Sequence, residues 1–307
     1  MGTVHALPSR SATPALRDAA ATYLATIADA GTVRTYRVVL DRLSVHYSPD
    51  TSLDALADPD RLAAWFTEQW GDSAPRTWNT RMNALHSATG YWREQGWLTG
   101  DPTVRLRMRP TPADRDRALS RDQVQALLGD KTPALRDRVL WSLLYETAAR
   151  ADEALCLDVP DLDMPARTAR TRRKGGARDV IAWQTGTARL LPRLLNGRRS
   201  GPVFLTDRRA RPSVAVVDVD PTTGCARLSY RRAAELFEEH TVRVLGAKAT
   251  LHQLRHSSLT HAAEDGASTP MLMALSGHTS VRSLAKYARP SAEALARWQA
   301  ERDPARR

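Results

Sequence analysis

Four residues near the carboxyl end of the 307-residue chain have types and an order suited to reaction with a phosphodiester. His252 and Arg255 are three residues apart and share one face of a predicted helix, His278 follows a glycine, and Tyr287 comes nine residues later. An arginine fork suits phosphate oxygens, a histidine can transfer a proton, and a tyrosine hydroxyl can act as an oxygen nucleophile. Groups of these kinds are what cleavage of a phosphodiester without water or metal would need.

Each of these residues alone is weak evidence. Four of the 45 basic residues are lysines, so 41 arginines accompany 8 histidines, and a His-x-x-Arg pair is expected about once by chance. A second copy does occur, at His240 and Arg243. Tyr287 alone could be a half-buried packing residue, and His278 could cap a helix. The ordered set therefore carries the argument.

The order His-x-Leu-Arg-His, then Gly-His, then Tyr resembles the carboxyl-terminal signature of the tyrosine recombinases, the family of phage integrases and Xer-type recombinases. The resemblance implies an earlier arginine in a Thr-Gly-x-Arg-x-x-Glu motif, and residues 147–153 (TAARADE) put Arg150 in that position. It also implies a lysine on a hairpin between the two arginines, where the chain has Lys174.

The chain departs from the family pattern in two places. Around the first arginine, where the family usually has glycine and larger apolar residues, stand Ala148, Ala149, Ala151 and Asp152. Ser276 replaces the usual apolar residue before Gly-His. Neither change removes a candidate catalytic group, so an active enzyme is expected.

The resemblance gives the nucleophile and the phosphate ligands their roles. Tyr287 would attack the scissile phosphate and leave a 3′-phosphotyrosyl link, which conserves the bond energy and makes ATP unnecessary. Arg150 and Arg255 would hold the phosphate oxygens, and His278 would add another donor.

Proton transfer needs a base and an acid. His252 is the candidate base for the tyrosine proton, and by resemblance Lys174 is the acid for the leaving 5′ oxygen. Glu153, one helical turn after Arg150, could orient that arginine through an ion pair, or the two could form a surface ion pair of little worth.

The resemblance implies a site-specific DNA recombinase (integrase) that acts without metal or cofactor. It would work as a tetramer on double-stranded DNA, with its two domains clamped around the duplex and a Holliday junction as intermediate. An accessory or directionality protein is a candidate partner. One alternative is a type IB topoisomerase, which the spacing from His278 to Tyr287 opposes. The other is a DNA-binding protein without catalysis, which the complete six-residue set opposes.

The charge balance independently favours a polyanionic partner such as DNA. The net charge is +11, and residues 118–307 hold 31 basic and 21 acidic side chains, against 14 and 13 in residues 1–117. The candidate DNA contacts are arginines of a long helix, a linker and the hairpin: Arg76, Arg81, Arg105, Arg107, Arg109, Arg172 and Arg173.

Hydrophobic periodicity predicts a mainly α (α+β) fold with two domains. Residues 1–12 are expected to be a flexible amino terminus. Residues 13–100 resemble the family's helical, SAM-like core-binding domain, and residues 101–117 are expected to form a linker. Residues 118–307 are predicted to be mostly helical with a small antiparallel sheet, and by resemblance they would be the catalytic domain, with the DNA breaking-rejoining enzyme fold.

Local patterns place the elements within these domains. The first domain is predicted to have helices at 14–30, from an N-cap at Thr32 to 47, at 60–70 and at 74–95. In the second, Ser120 and Gln123 suggest a capping box, a hairpin turns at Lys174, and residues 212–227 fit either a short hairpin or an extended loop. Its other predicted helices cover 132–148, 229–245, 252–265, 270–276 and 291–302.

The sequence argues against a membrane-spanning, secreted, disulfide-rich or zinc-binding protein, and it leaves the role of one carboxyl-terminal segment open. No apolar run approaches the roughly 18 residues of a membrane span, and the amino terminus lacks the apolar core of a secretory signal, so a cytoplasmic location is expected. Two cysteines form neither a disulfide framework nor paired zinc ligands. Near the carboxyl end, Leu295 and Trp298 form an apolar stripe that could dock into a neighbouring protomer or pack on its own domain.

Overall fold

The computed structural model describes residues 13–111, 118–172, 178–278, 280–284, 296 and 299–301. By its internal contacts the chain divides into two units, Met1–Asp114 and Arg115–Arg307. Among the residues described, no helix is both long and apolar enough to cross a membrane. The mainly helical fold with a small antiparallel sheet that the sequence predicts is confirmed.

The described part of the first unit, residues 13–111, consists of four helices and one short 3-10 turn. The helices are α1 (Leu16–Ala25), α2 (Ala30–Tyr47), α3 (Pro59–Trp70) and α4 (Pro75–Glu94), and the turn is Leu53–Leu56. The helix predicted over 14–30 ends early, and the N-cap of α2 is Asp29 rather than Thr32. The Asp29 carboxylate accepts hydrogen bonds from the Thr32 backbone N–H at 2.8 Å and from its hydroxyl at 2.6 Å. A carboxylate satisfies the first N–H groups of a helix well, which explains the earlier start.

Aromatic side chains join the helices of the first unit. Trp92 of α4 is fully buried, and its indole N–H donates to the Ala19 carbonyl of α1 at 3.0 Å. Phe66 of α3 meets Trp78 of α4 edge to face, with ring centroids 4.8 Å apart. These large buried rings supply much of the apolar surface that holds the bundle together.

Most of the predicted linker packs on the first unit. Leu106 is buried in its core, and the indole N–H of Trp78 donates to the Arg107 carbonyl at 2.9 Å. The Asn79 amide pairs with the Arg109 backbone in both directions, at 2.8 Å each. These side chains satisfy the backbone groups of an irregular segment, so the chain as far as Arg109 is ordered without periodicity.

The second unit is built around a helix that is buried on all sides. This helix, α6 (Leu135–Thr147), contains the consecutive buried residues 139–144 and packs against α8 and α10. Burial all round is typical of a central core helix. The remaining helices are α5 (Arg121–Gly129), α7 (Ala151–Leu155), α8 (Thr185–Leu195), α9 (Tyr230–Leu245), α10 (Leu251–Glu264), α11 (Thr269–Ser276) and α12 (Val281–Leu284).

Two small antiparallel sheets complete the second unit. The first contains β1 (Leu162–Asp163), β2 (Thr168–Arg172) and β3 (Arg178–Ala182) in that order, and its register pairs Ala169 with Ile181. The hairpin strands are thus present, whereas the turn at 173–177 lies outside the described residues. The second sheet pairs β4 (Leu205–Arg209) with β5 (Cys225–Arg227). The ambiguous segment 212–227 therefore contains a strand that pairs with a partner preceding it.

Candidate active site

Arg150 follows a left-handed residue that ends α6. Ala148 has φ 50° and ψ 24°, whereas Arg150 is extended just before α7. The Thr147 hydroxyl donates to the Leu143 carbonyl at 2.7 Å and accepts the Ala149 backbone N–H at 3.1 Å. The helix end is therefore tied back on itself, and the chain reverses sharply at the first candidate catalytic residue.

Glu153 holds Arg150 through two hydrogen bonds. One carboxylate oxygen accepts from the Arg150 guanidinium at 2.7 Å, and the other accepts the Arg150 backbone N–H at 2.9 Å. The Glu153 side chain is only 4% exposed, and that of Arg150 is 35% exposed. A buried carboxylate that binds both ends of the arginine fixes its direction, as the sequence spacing suggests. The Thr171 hydroxyl donates to the Glu153 carbonyl at 3.1 Å, which attaches strand β2 to the same place.

Arg255 connects the ends of two other helices. Its α10 helix begins with a capping box in which Thr250 and Gln253 satisfy each other's backbone N–H groups. The Arg255 side chain is buried, and its guanidinium donates to the carbonyl of Ala148 and, at 2.7 Å, to that of Ser276. One planar fork thus binds the end of α6 and the end of α11.

His278 lies at the end of α11, next to this junction. Gly277 ends the helix with φ 64°, a left-handed conformation that favours glycine. The Nδ1 atom of the half-buried His278 ring lies 2.7 Å from the Ser276 hydroxyl. Arg255 therefore contacts residues two positions before Arg150 and two positions before His278, so the structure joins the segments that carry these three predicted residues.

His252 lies in the first turn of the same helix as Arg255, but its ring is exposed. The two candidates thus share a helix while Arg255 points into the core and His252 reaches solvent.

Lys174, Arg173 and Tyr287 lie outside the described residues, as do Leu295 and Trp298. The described residues nearest to them include the ends of β2 and β3 on either side of the hairpin turn and helix α12 before the tyrosine. Thr171 bonds β2 to α7, and Leu284 of α12 is buried in a cluster with Ala148, Leu259 and Leu272. Strand β2 and helix α12 are therefore both anchored beside the turn that contains Arg150.

The predicted DNA contacts of the first unit fall into two groups. Arg76, Arg105 and Arg107 are exposed, although Arg105 pairs with Asp60 at 2.9 Å. The guanidinium groups of Arg81 and Arg109 instead bond to backbone carbonyls within the unit.

Arg81 donates to the Thr35 carbonyl at 2.9 Å, joining α4 to α2. Arg109 lies 3.9 Å over the Trp78 ring and donates to the Ser73 carbonyl at 3.0 Å. Both side chains thus have structural partners. In the second unit Arg172 ends β2, and the structure does not describe its side chain.

The second His-x-x-Arg pair belongs to the core. His240 stacks on Trp141 with ring centroids 4.5 Å apart, and its Nε2 atom lies 3.1 Å from the Leu127 carbonyl. Burial lowers the pKa of His240 below its ordinary value, so the ring is held neutral. Arg243 lies 2.9 Å from the Nδ1 atom of this ring. Spacing alone does not distinguish this pair from His252 and Arg255; burial of the histidine does.

Two contributions to the site could not be predicted from the motif. Ala148 and Ser276 are departures from the family pattern in sequence, whereas in the structure both supply carbonyls that hold Arg255. Every residue has a backbone carbonyl, so the residue type does not show which carbonyls will accept a side-chain hydrogen bond. The Ser276 hydroxyl had a visible signal, because a serine one residue before a helix-ending glycine can bond the residue that follows.

The chain is similar to known proteins in both sequence and fold. A family model described as the phage integrase family matches residues 117–294. The tyrosine recombinases XerC of Mycobacterium bovis (BCG Pasteur) and Mycobacterium tuberculosis (H37Ra) are each 32% identical over 255 residues, which cover 77% of this chain and 80% of theirs.

Two solved structures have a similar fold. The Tn1549 transposon integrase in complex with a circular intermediate DNA superposes with a TM-score of 0.68 at 15% identity, covering 94% of this chain and 100% of that one. A lambda integrase dimer bound to a core site gives a TM-score of 0.65 at 15% identity, with 87% and 95% covered.

Proposed function

The chain belongs to the phage integrase family of tyrosine recombinases, and from that membership we propose that it recombines double-stranded DNA at specific sites through a covalent link to Tyr287. The observation that carries the proposal is the buried Arg255 fork, which bonds the Ala148 and Ser276 carbonyls. This fork gathers the elements that carry Arg150 and His278.

Arg150 and Arg255 bind the non-bridging oxygens of the scissile phosphate, with His278 as a further donor. Two carbonyl bonds use two of the five N–H donors of the Arg255 guanidinium and fix the plane of the others. The ion pair with Glu153 likewise fixes the orientation of the Arg150 guanidinium. Donors fixed in advance stabilise the charge that grows on phosphorus-bound oxygens without reorganising during the reaction.

Tyr287 supplies the nucleophile. Its oxygen forms a bond to phosphorus while the bond to the 5′ oxygen breaks; His252 takes the tyrosine proton and Lys174 gives one to the leaving 5′ oxygen. The buried Leu284 supports this role because it precedes Tyr287 by only three residues, which span at most about 11 Å of chain. Thr171, whose hydroxyl ties β2 to α7, likewise precedes Lys174 by three residues.

Rejoining is the reverse of this step with a different 5′ hydroxyl, so the reaction itself uses no nucleotide energy. Exchange between two duplexes requires four strand cleavages and hence four tyrosines. The enzyme therefore acts as a tetramer on two DNA sites, with a Holliday junction after the first pair of exchanges.

A nicked suicide duplex tests the proposal, because loss of the short fragment beyond the nick traps the covalent intermediate. The native chain is expected to give a DNA adduct on a denaturing gel with its attachment-site duplex. Tyr287→Phe is expected to bind the same duplex without forming the adduct. Tyr230→Phe is the matched control, since Tyr230 is exposed at the start of α9 and should leave adduct formation unchanged.

Three results would overturn the proposal. Persistence of the adduct in Tyr287→Phe would remove the nucleophile. Resealing of the same strand without any exchange between two duplexes would instead indicate a type IB topoisomerase. DNA binding without adduct formation by the native chain on its own recombination site would leave only the DNA-binding alternative.

A further inference from the structure

Ser276 contacts two candidate catalytic residues at once. Its carbonyl accepts a hydrogen bond from the Arg255 guanidinium at 2.7 Å, and its hydroxyl oxygen lies 2.7 Å from His278 Nδ1. Ser276 itself is fully buried at the end of α11. The carbonyl contact is available to any residue type, whereas the hydroxyl contact requires serine or threonine.

The direction of the hydroxyl proton determines what the contact does. The Ser276 hydroxyl donates to the Leu272 carbonyl at 2.6 Å, and a hydroxyl has a single proton to donate. Toward His278 the same oxygen is therefore an acceptor. It accepts from the His278 ring, and the backbone N–H of His278 lies 3.3 Å from it. This pattern of bonds assigns a proton to the Nδ1 atom of His278.

We propose that Ser276 is a positioning residue that fixes the His278 ring with Nδ1 protonated and directs Nε2 to the reacting phosphate. This inference rests on the proposed function, in which His278 contacts that phosphate. When Nε2 also carries a proton the ring is an imidazolium, which the negative charge of the phosphate favours and which donates from Nε2. The hydrogen bond from Nδ1 to Ser276 remains intact in both forms of the ring.

This arrangement is a property of this chain rather than of the pattern it resembles, where an apolar residue precedes Gly-His. An apolar side chain has no acceptor for Nδ1, so the ring orientation would depend on other contacts. Here a buried hydroxyl with both of its roles occupied holds the ring in one tautomer. Such contacts behind a functional histidine set which nitrogen faces the substrate.

Nitrogen NMR of the full chain with ¹⁵N-labelled histidine tests the inference without DNA. In mildly alkaline buffer, His278 is expected to show a protonated Nδ1 and an unprotonated Nε2, and His278→Gln assigns its signals. Ser276→Ala should lose this pattern. Ser276→Thr should keep it, because a threonine hydroxyl in a helix can also bond the carbonyl one turn earlier.

Ser257→Ala is the matched control. The buried Ser257 hydroxyl likewise donates to a carbonyl four residues earlier, Gln253, at 2.6 Å, and accepts the Leu119 N–H at 2.8 Å. Its removal should cost similar stability and leave the His278 signals unchanged. A protonated Nε2 with a bare Nδ1 in the native chain would overturn the inference. So would an unchanged His278 pattern in Ser276→Ala. The native spectrum decides the tautomer even if that variant does not fold.

The rate of adduct formation supplies the second readout. Ser276→Ala should slow single-turnover cleavage by about tenfold at saturating DNA, the usual effect of one lost hydrogen bond to a charged group, and Ser276→Thr should restore most of it. Failure of the native chain to form any adduct would contradict the proposed function while the NMR result stands. An adduct formed at the native rate by Ser276→Ala would contradict the positioning role while the function stands.

Discussion

Arg255 of α10 donates a hydrogen bond to the carbonyl of Ala148, the left-handed residue that ends α6. This contact joins the part of the site that contains Arg150 to the part that contains His278, across more than a hundred residues of sequence. Because both partners are buried, loss of this hydrogen bond leaves a buried polar group unsatisfied.

Arg255→Lys tests the planar fork. A lysine keeps the charge but cannot bind the Ala148 and Ser276 carbonyls in the geometry of a guanidinium. We expect single-turnover cleavage to slow by about 10- to 100-fold, corresponding to the loss of about 1.5–3 kcal/mol from one charged hydrogen bond. Arg243→Lys, in the other His-x-x-Arg pair, is the control and should cleave at the native rate. Equal rates for the two variants would show that the fork is dispensable.

Glu153→Gln tests the orientation of Arg150. Glutamine can still accept the Arg150 backbone N–H, but it removes the buried charge that holds the guanidinium. We expect cleavage to fall by about tenfold while DNA affinity changes little. Glu235→Gln removes an exposed partner of Arg231 and should leave both the stability and the cleavage rate close to their native values. Native cleavage by Glu153→Gln would contradict an orienting role.

The left-handed backbone of Ala148 predicts an unusual substitution profile. Ala148→Gly removes a strain of about 1 kcal/mol but also a buried methyl group of similar worth, so the urea midpoint should barely move. Ala148→Val should destabilise the chain by about 2–4 kcal/mol, because a β-branched residue suits this conformation poorly and overfills the cluster with Leu259. A valine variant as stable as the glycine variant would refute this account.

Two buried histidines predict how stability depends on pH. Burial lowers the pKa of both His240 and His261; for His240, Arg243 adds to this effect and Asp130 opposes it. The unfolded chain then binds protons more readily than the folded one. Stability should be greatest above about pH 6.5, the ordinary pKa of histidine in the unfolded chain. It should decline as the pH falls from there through the lower pKa values that the two histidines have in the folded chain. Urea midpoints measured from about pH 8 to pH 5 should show this decline, and His240→Gln should flatten it. A decline unaffected by that substitution would contradict the assignment.

The sequence indicates the segments of the candidate site more clearly than the elements around it. Arg150, Arg255 and His278 are recognisable as candidates because phosphoryl transfer restricts their types and order, and the contacts of Arg255 join the segments that carry them. The start of α8 is not recognisable, since its cap is a residue distant in sequence. The Glu146 carboxylate of α6 accepts the backbone N–H groups of Gln184 at 2.8 Å and Thr187 at 3.2 Å.

Helix α8 is also concealed by its composition. It contains Gly186 and Pro192, which disfavour a helix in isolation. A Cβ atom on Gly186 would lie 2.4 Å from the Glu146 carboxylate, so this glycine permits the close approach of the two elements. Contacts between distant segments therefore decide this helix, and local pattern does not contain them.

The most direct test of the central claim is to locate the DNA attachment on the chain. The adduct trapped on a nicked attachment-site duplex is digested with trypsin and nuclease, and the modified peptide is sequenced by mass spectrometry. The account predicts a nucleotide joined through its 3′ phosphate to Tyr287. Attachment to any other residue, or through a 5′ phosphate, would contradict it.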